Sequence, residues 1–293
     1  HNITQKFWQD LQSDDIHWTL TDTGWAKAAW GLLFPPLLAG CTIILYNGQG
    51  FDLEILLKII KKHKVTTFCA PPTIYRLIAQ SDLSKAEFMS LRHCFSAGEP
   101  LNPEAMRSWK NATGCDVYDG YGQTETINVI ANFPGMPIKQ GSMGKPCPGF
   151  DIEIIDNEAN ILETDEIGNI GIKITNPYPP GLFKGYYKDQ IKTSEVFRNG
   201  WYFTGDTATK DKDGYIWFVG RADDIITSSG YRISPFEIES ALLEHQHVVE
   251  AAVIAKKDYI RGEIVVAFIV LGKNGQSNEK LKSEIQEFVK NKT

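Results

Sequence analysis

The spacing of apolar positions changes character near the middle of the chain. Before about residue 146, short β-rich runs alternate with stretches of helical periodicity, the signature of parallel strands joined by crossover helices. The runs Cys41 to Tyr46, Thr66 to Cys69, His93 to Ser96 and Cys115 to Tyr118 read as strands. Between them, Phe51 to His63 places Leu53, Leu56, Leu57 and Ile60 on one helical face. Pro72 to Gln80 opens a second helix with proline in its first turn, and Pro103 to Thr113 forms a third.

From about Cys147 the period shortens to two and turn residues multiply. Asp151 to Ile155 and Ile170 to Ile174 read as antiparallel strands, with Asp156 to Asn160 as a tight turn. Asp211 to Gly214 is another turn, before a strand from Tyr215 to Val219. After Arg221 the pattern becomes helix, strand, strand, helix: Pro235 to His245 capped by Ser234, Val248 to Ala255, Ile264 to Val270, and Glu279 to Val289. The predicted class is therefore α/β, with a parallel-sheet subdomain (1–146), a β-rich subdomain (147–222) and a small α+β C-terminal domain (223–293).

Bulk properties narrow the partners. At 293 residues the chain suits two or three lobes. A formal net charge of -6 opposes non-specific nucleic-acid binding, which needs a basic face. Five cysteines, odd in number and without paired spacing, read as reduced thiols. The histidines show no metal spacing, and no run approaches the roughly 20 apolar residues of a membrane span. No signal peptide is read at the start. The polar beginning without Met and the final helix running to Thr293 predict a chain trimmed from a longer one.

The candidate chemistry lies in three segments in order, with a fourth upstream of them. Tyr121-Gly122-Gln123-Thr124-Glu125 packs a ring, a position without a side chain, a hydroxyl and a carboxylate into five residues. Those groups can stack on a purine, admit a substrate, grip a phosphate oxygen and bind magnesium. Tyr202 to Asp206 ends an aromatic run on a carboxylate suited to a vicinal diol, and Gly220 to Asp224 holds a planar cation at Arg221. Ser96-Ala97-Gly98-Glu99-Pro100 follows a buried strand and precedes a helix, where open parallel sheets bind ligands. Taken singly, each also reads as a surface loop, a strand-to-helix turn or a turn-capping acid.

In this order and spacing the motifs resemble the adenylate-forming acyl-CoA synthetases. Thr21 to Trp25, Gly141 to Pro146 and Ile260 to Glu263 extend the likeness nearly end to end and bring it nearest the medium-chain branch. The resemblance implies activation of a small carboxylic acid with ATP and Mg²⁺, then transfer to coenzyme A. It assigns Tyr121 to adenine, Thr124 to the α-phosphate and Glu125 to Mg²⁺. Gly98, Glu99, Pro100, Asp119, Gly120 and Gln123 join the nucleotide pocket, Asp206 the ribose hydroxyls, and Arg221 the ribose and phosphate oxygens. Asp223 becomes the hinge of the last domain, although Asp223 and Asp224 also read as a charged loop. Ser229, Gly230, Tyr231, Arg261 and Lys290 are assigned to coenzyme A, and Arg232 to the reacting end.

Trp25 and Gly122 line the implied acyl pocket, with Trp30, Phe34 and Pro71 to Tyr75 as further apolar candidates. Acetyl-CoA synthetases carry tryptophan at the position matching Gly122, so glycine here implies a medium-chain or aromatic acid. Two expected segments are not found: a phosphate loop ending in Pro-Lys and a catalytic lysine in a Gly-Lys segment. A fragment of a longer enzyme is therefore expected. The alternatives are a ligase delivering to a carrier protein and an inactive nucleotide-binding truncation. The expected location is the cytoplasm or, in a eukaryote, the mitochondrial matrix; the residues do not name the acid or the oligomeric state.

Overall fold

The computed structural model describes residues 1–48, 52–79, 81, 88–99, 101, 103–272 and 275–292. Its largest sheet has seven strands in the order β2-β1-β3-β4-β5-β6-β7. These are β1 Ile16–Thr19, β2 Thr42–Ile43, β3 Thr67–Cys69, β4 His93–Ala97, β5 Val117–Gln123, β6 Ile127–Ala131 and β7 Lys145–Pro146. Strands β2 through β5 run parallel, and β5-β6-β7 continue antiparallel.

Helices Leu53–His63, Pro72–Ala79 and Pro103–Thr113 stand at the expected crossovers. The first is capped by Asp52, whose side chain accepts from the N–H of Ile55; Phe51, its expected start, lies outside the described residues. Gln80, the expected end of the second, also falls outside them. One core cluster holds Trp18, Ile60, Phe68, Tyr75, Ile78 and Trp109. A second holds Trp8, Cys69, Phe95 and Cys147.

Beyond single-residue shifts, five strands of this sheet differ from the sequence expectation: β1, β6 and β7 are not anticipated, and β2 and β5 have other bounds. Strand β1 escapes the apolar pattern because His17 and Thr19 interrupt its run. Both are buried, and the imidazole reaches Thr67 Oγ1 (2.8 Å), Thr19 Oγ1 (2.8 Å) and Gly31 O (2.9 Å), so the polar groups are satisfied in place. The run 41–46 shrinks to Thr42–Ile43, an edge strand beyond which Leu45 is exposed. Strand β5 runs five residues past Tyr118, because Gly120 and Gly122 let it fold back closely on β6.

A five-stranded sheet follows the order β10-β11-β9-β8, with β12 beside β11. Its strands are β8 Ile152–Ile155, β9 Gly168–Lys173, β10 Phe197–Arg198, β11 Trp201–Lys210 and β12 Ile216–Arg221. The predicted turns have a physical cause. Asp156 accepts from the N–H groups of Glu158 and Asn160, and Asp211 from those of Asp213 and Tyr215.

The last sheet has the order β14-β13-β16-β15, from β13 Ile226–Ser228, β14 Tyr231–Ile233, β15 Val248–Asp258 and β16 Gly262–Leu271. Helices Pro235–Leu243 and Glu279–Lys290 pack their apolar faces on it around Ile226, Leu242, Val253, Leu281 and Ile285. Ser234 caps the first of these helices as expected, accepting from Glu237 N at 3.1 Å.

The chain forms two compact units. One gathers His1–Ile152, Ile172–Tyr202 and Lys210–Trp217; the other gathers Glu153–Gly171, Phe203–Thr209 and Phe218–Thr293. All five cysteines are free thiols. No described helix is long and apolar enough to cross a membrane.

Candidate functional site

In the first unit the carboxyl ends of β3, β4 and β5 converge on a cavity of about 500 Å³. Open parallel sheets bind ligands at this edge. Trp25, Lys27, Gly98, Glu99, Gly122 and Thr124 line it, so residues nearly a hundred positions apart share one space.

Gly98 turns the chain out of β4 at φ +105°, a left-handed value that side chains resist. Glu99 is tied back to helix Pro72–Ala79. Thr73 Oγ1 donates to its two oxygens at 3.1 and 3.0 Å, and Arg76 Nη2 lies 3.4 Å away. Pro100, assigned to the same pocket, lies outside the described residues.

Asp119 is buried, and its Oδ1 accepts from Gly120 N at 3.0 Å. Burial pushes this carboxyl up to about 8, against the backbone N–H groups and the Lys27 charge that pull it down. Gly120 has no room for a side chain, since a Cβ would stand 2.6 Å from the Trp8 ring. Tyr121 and Gly122 flank an irregularity in the β5-β6 register. Gln123 Oε1 accepts from Tyr202 OH at 3.0 Å, and Gln123 N donates to Thr126 Oγ1 at 2.9 Å. Thr124 is exposed at the turn.

Gly122 answers to the hairpin as well as to the cavity. It lines the cavity, but a Cβ there would lie 1.7 Å from the Ile127 carbonyl oxygen and 2.8 Å from Asn128 Cα. The missing side chain is thus demanded by the close hairpin, and a larger residue would strike backbone before it reached the cavity. Trp25, the other residue that the resemblance assigns to the acyl pocket, stands at the cavity with 72% of its surface exposed.

Glu125 gives one carboxylate oxygen to Tyr186 OH at 3.1 Å. Among the described residues no group of three His, Cys, Asp or Glu could cage a metal. A single carboxylate at the turn suits magnesium, which keeps several waters and takes one or two carboxylates together with substrate phosphates. Glu125 would be the protein's share of such a shell.

In the second unit Asp206 is buried at the bend of β11, with Arg221 Nη1 donating to its Oδ1 at 3.2 Å. Arg221 Nε also donates to Asp223 Oδ1 at 3.3 Å. The pair assigned to one nucleotide sugar is thus assembled, with Arg221 bridging to Asp223 in the turn that follows β12. Within this pair Asp206 is buried and Arg221 is half-exposed.

The residues assigned to coenzyme A also meet. Ser229 N donates to Arg261 O at 2.9 Å, which sets the Ser229-Gly230 turn against the hairpin turn 259–261. Both turn residues have positive φ, 51° and 86°. Asp258 Oδ1 stabilises the hairpin turn by accepting from Ile260 N and Arg261 N. Tyr231 is 74% exposed, and Arg232 and Arg261 are also exposed. Lys290 ends its helix beside an apolar groove that includes Ile233 and Val265, and makes no hydrogen bond with Ser229, Tyr231 or Arg261.

Sequence reasoning passes over Lys27 and Arg76 and meets Thr73 only inside the run Pro71 to Tyr75, without its contact to Glu99. Thr73 and Arg76 support Glu99 from a crossover helix and carry no motif. Lys27 hides in the apolar stretch after Trp25, where one cation looks like an ordinary surface residue.

A glycine-turned loop after β4, an acid-bearing hairpin after β5 and a small terminal α+β unit agree with the adenylate-forming class of fold. The model of the AMP-binding enzymes matches residues 1–187, and that of their C-terminal domain matches residues 237–293. This chain belongs to the AMP-binding enzyme family. It is 47% identical to the human mitochondrial acyl-coenzyme A synthetase ACSM3 over 294 aligned positions, which take in 100% of this chain and 50% of that protein. The anthranilate CoA ligase AuaEII, solved in complex with anthranoyl-AMP, superposes with a TM-score of 0.90 at 32% identity, over 100% of this chain and 56% of that one. An acyl-CoA synthetase from Brucella canis superposes at 0.72 with 41% identity, over 99% of this chain and 53% of that one. The chain spans about half the length of the curated relatives it matches.

Proposed function

We propose that this chain is the acid-activating and thioester-forming part of an AMP-forming acyl-CoA synthetase acting on medium-chain or aromatic acids. Carboxylate and ATP would give acyl-adenylate and pyrophosphate, and coenzyme A would then give acyl-CoA and AMP. The observation that carries the reading is the cavity at the strand ends, which gathers Gly98, Glu99, Gly122 and Thr124 from separate segments.

In this reading Tyr121 stacks on adenine, and Gly98, Glu99, Pro100, Asp119, Gly120 and Gln123 wall the nucleotide site. Thr124 donates to the α-phosphate, and Glu125 helps hold Mg²⁺ between the phosphates. Asp206 receives the ribose hydroxyls once Arg221 turns toward the phosphates. Positioning two anions in line accounts for most of the rate such a site supplies.

The chain would then work as three parts, 1–146, 147–222 and 223–293, with Asp223 as the hinge at the end of β12. Ser229, Gly230, Tyr231 and Arg261 would receive coenzyme A, their adjacency supporting a common ligand, with Lys290 adding charge and Arg232 facing the reacting end. The named relatives favour a mitochondrial matrix location.

The test is pyrophosphate release by the native protein on a panel of acids, followed by thioester formation with coenzyme A or a pantetheinylated carrier. Release with octanoate or benzoate and transfer to coenzyme A is the expected result. Transfer only to the carrier, or silence across the panel, contradicts the proposal.

A further inference from the structure

Among the described residues Lys27 is the one cation in the cavity lining, which joins the apolar Leu20, Trp25, Trp30 and Pro71 to the carboxylates Asp22 and Glu99. It is half-buried at the start of the helical segment Ala28–Leu33. Its Nζ lies 3.6 Å from the point where a Cβ on Gly98 would stand, so the charge faces the loop that ends β4. Burial lowers its proton affinity, while Cys69, Glu99 and Asp119 act in the opposite direction.

None of these neighbours forms an ion pair with it. Glu99 is turned to Thr73 and Arg76. Asp119 is a buried carboxyl whose own proton is held up to about pH 8. Among the described residues Lys27 makes no hydrogen bond. An ammonium removed from water without a counter-ion is costly, and an anion entering the cavity would relieve that cost.

We propose that Lys27 is a specificity-determining residue that receives the carboxylate of the acid substrate in the cavity before activation. This rests on the proposed function, and it adds what selects an acid over an equally apolar neutral molecule. The apolar walls would supply affinity in proportion to buried chain, and Lys27 would supply the requirement for negative charge. The same ammonium could instead serve a nucleotide phosphate, so the test separates the two anions.

In the native protein, Lys27→Met keeps the apolar stem and removes the charge. The expected result is a rise of about 10- to 100-fold in KM for octanoate, the scale of one charge-assisted hydrogen bond, with KM for ATP and kcat within a few-fold. Lys27→Arg should keep most of the acid affinity. Calorimetry with octanoate and octanamide gives a readout that needs no turnover: the wild type should prefer octanoate, and Lys27→Met should bind the two alike.

An octanoate KM within two-fold of wild type, with octanoate preference retained, overturns the inference. A rise in KM for ATP alone also overturns it, because the cation would then serve phosphate. If wild type releases no pyrophosphate with any acid, the functional reading fails; the calorimetric preference still decides the role of Lys27.

Discussion

At the scale of single residues, the site works by burying groups that water would otherwise hold. Asp119 keeps its proton to about pH 8 in the folded chain, against 3.8 for the ordinary side chain. Between those values the unfolded chain binds fewer protons than the folded one, so this residue makes stability fall as pH rises. His17 and His93 act in the opposite sense. Burial lowers both from 6.5 to about 4, so they make stability fall as pH drops through that window. Asp119→Asn should therefore lose stability less steeply than wild type from about pH 4 to 8 in melting curves taken across pH. Parallel curves for the two proteins would show that the carboxyl ionises normally. Of these residues, Asp119 is legible beside its motif. The histidines are legible only as non-metal residues, because sequence spacing does not reveal that Thr67, Thr19 and Gly31 O wait in the core for His17.

At the scale of elements, the crossover helices are readable because their apolar faces repeat at helical spacing. Helix Pro103–Thr113 matches its expected bounds, and Trp109 on its inner face packs on Phe68, Tyr75 and Phe88. Trp109→Ala should cost roughly 3–5 kcal/mol in denaturant unfolding of the native protein. A loss under about 1 kcal/mol would mean the site collapses to fill the void. Ser234 caps its helix and also donates to Val219 O, so Ser234→Ala should cost about 1–2 kcal/mol, seen as faster amide exchange in that helix. Unchanged exchange would contradict the cap. The β5-β6 hairpin is less legible. Its tight approach depends on two glycines facing backbone and the Trp8 ring, contacts made across the fold. Gly122→Ala should accordingly damage the hairpin and lower acid and nucleotide binding together, measured by titration of each. A selective change in chain-length preference would instead restore the open-pocket explanation.

At the scale of the whole molecule, a chain of net charge -6 can attract an anionic ligand only through local cations. Each unit carries such a cation, since Lys27 lines a cavity in one and Arg221 is paired with Asp206 in the other. The motif order is legible across the chain because each motif is short, local and rich in Gly, acid or aromatic residues. Lys27 is not, since its meaning comes from the three strand ends around it. Binding of a non-hydrolysable octanoyl-adenylate analogue to wild type, Tyr121→Ala and Asp206→Asn tests the central claim most directly. The account predicts at least about a 10-fold loss of affinity in each variant, the scale of one lost charged hydrogen bond or stacked base. Wild-type affinity in both variants would contradict it.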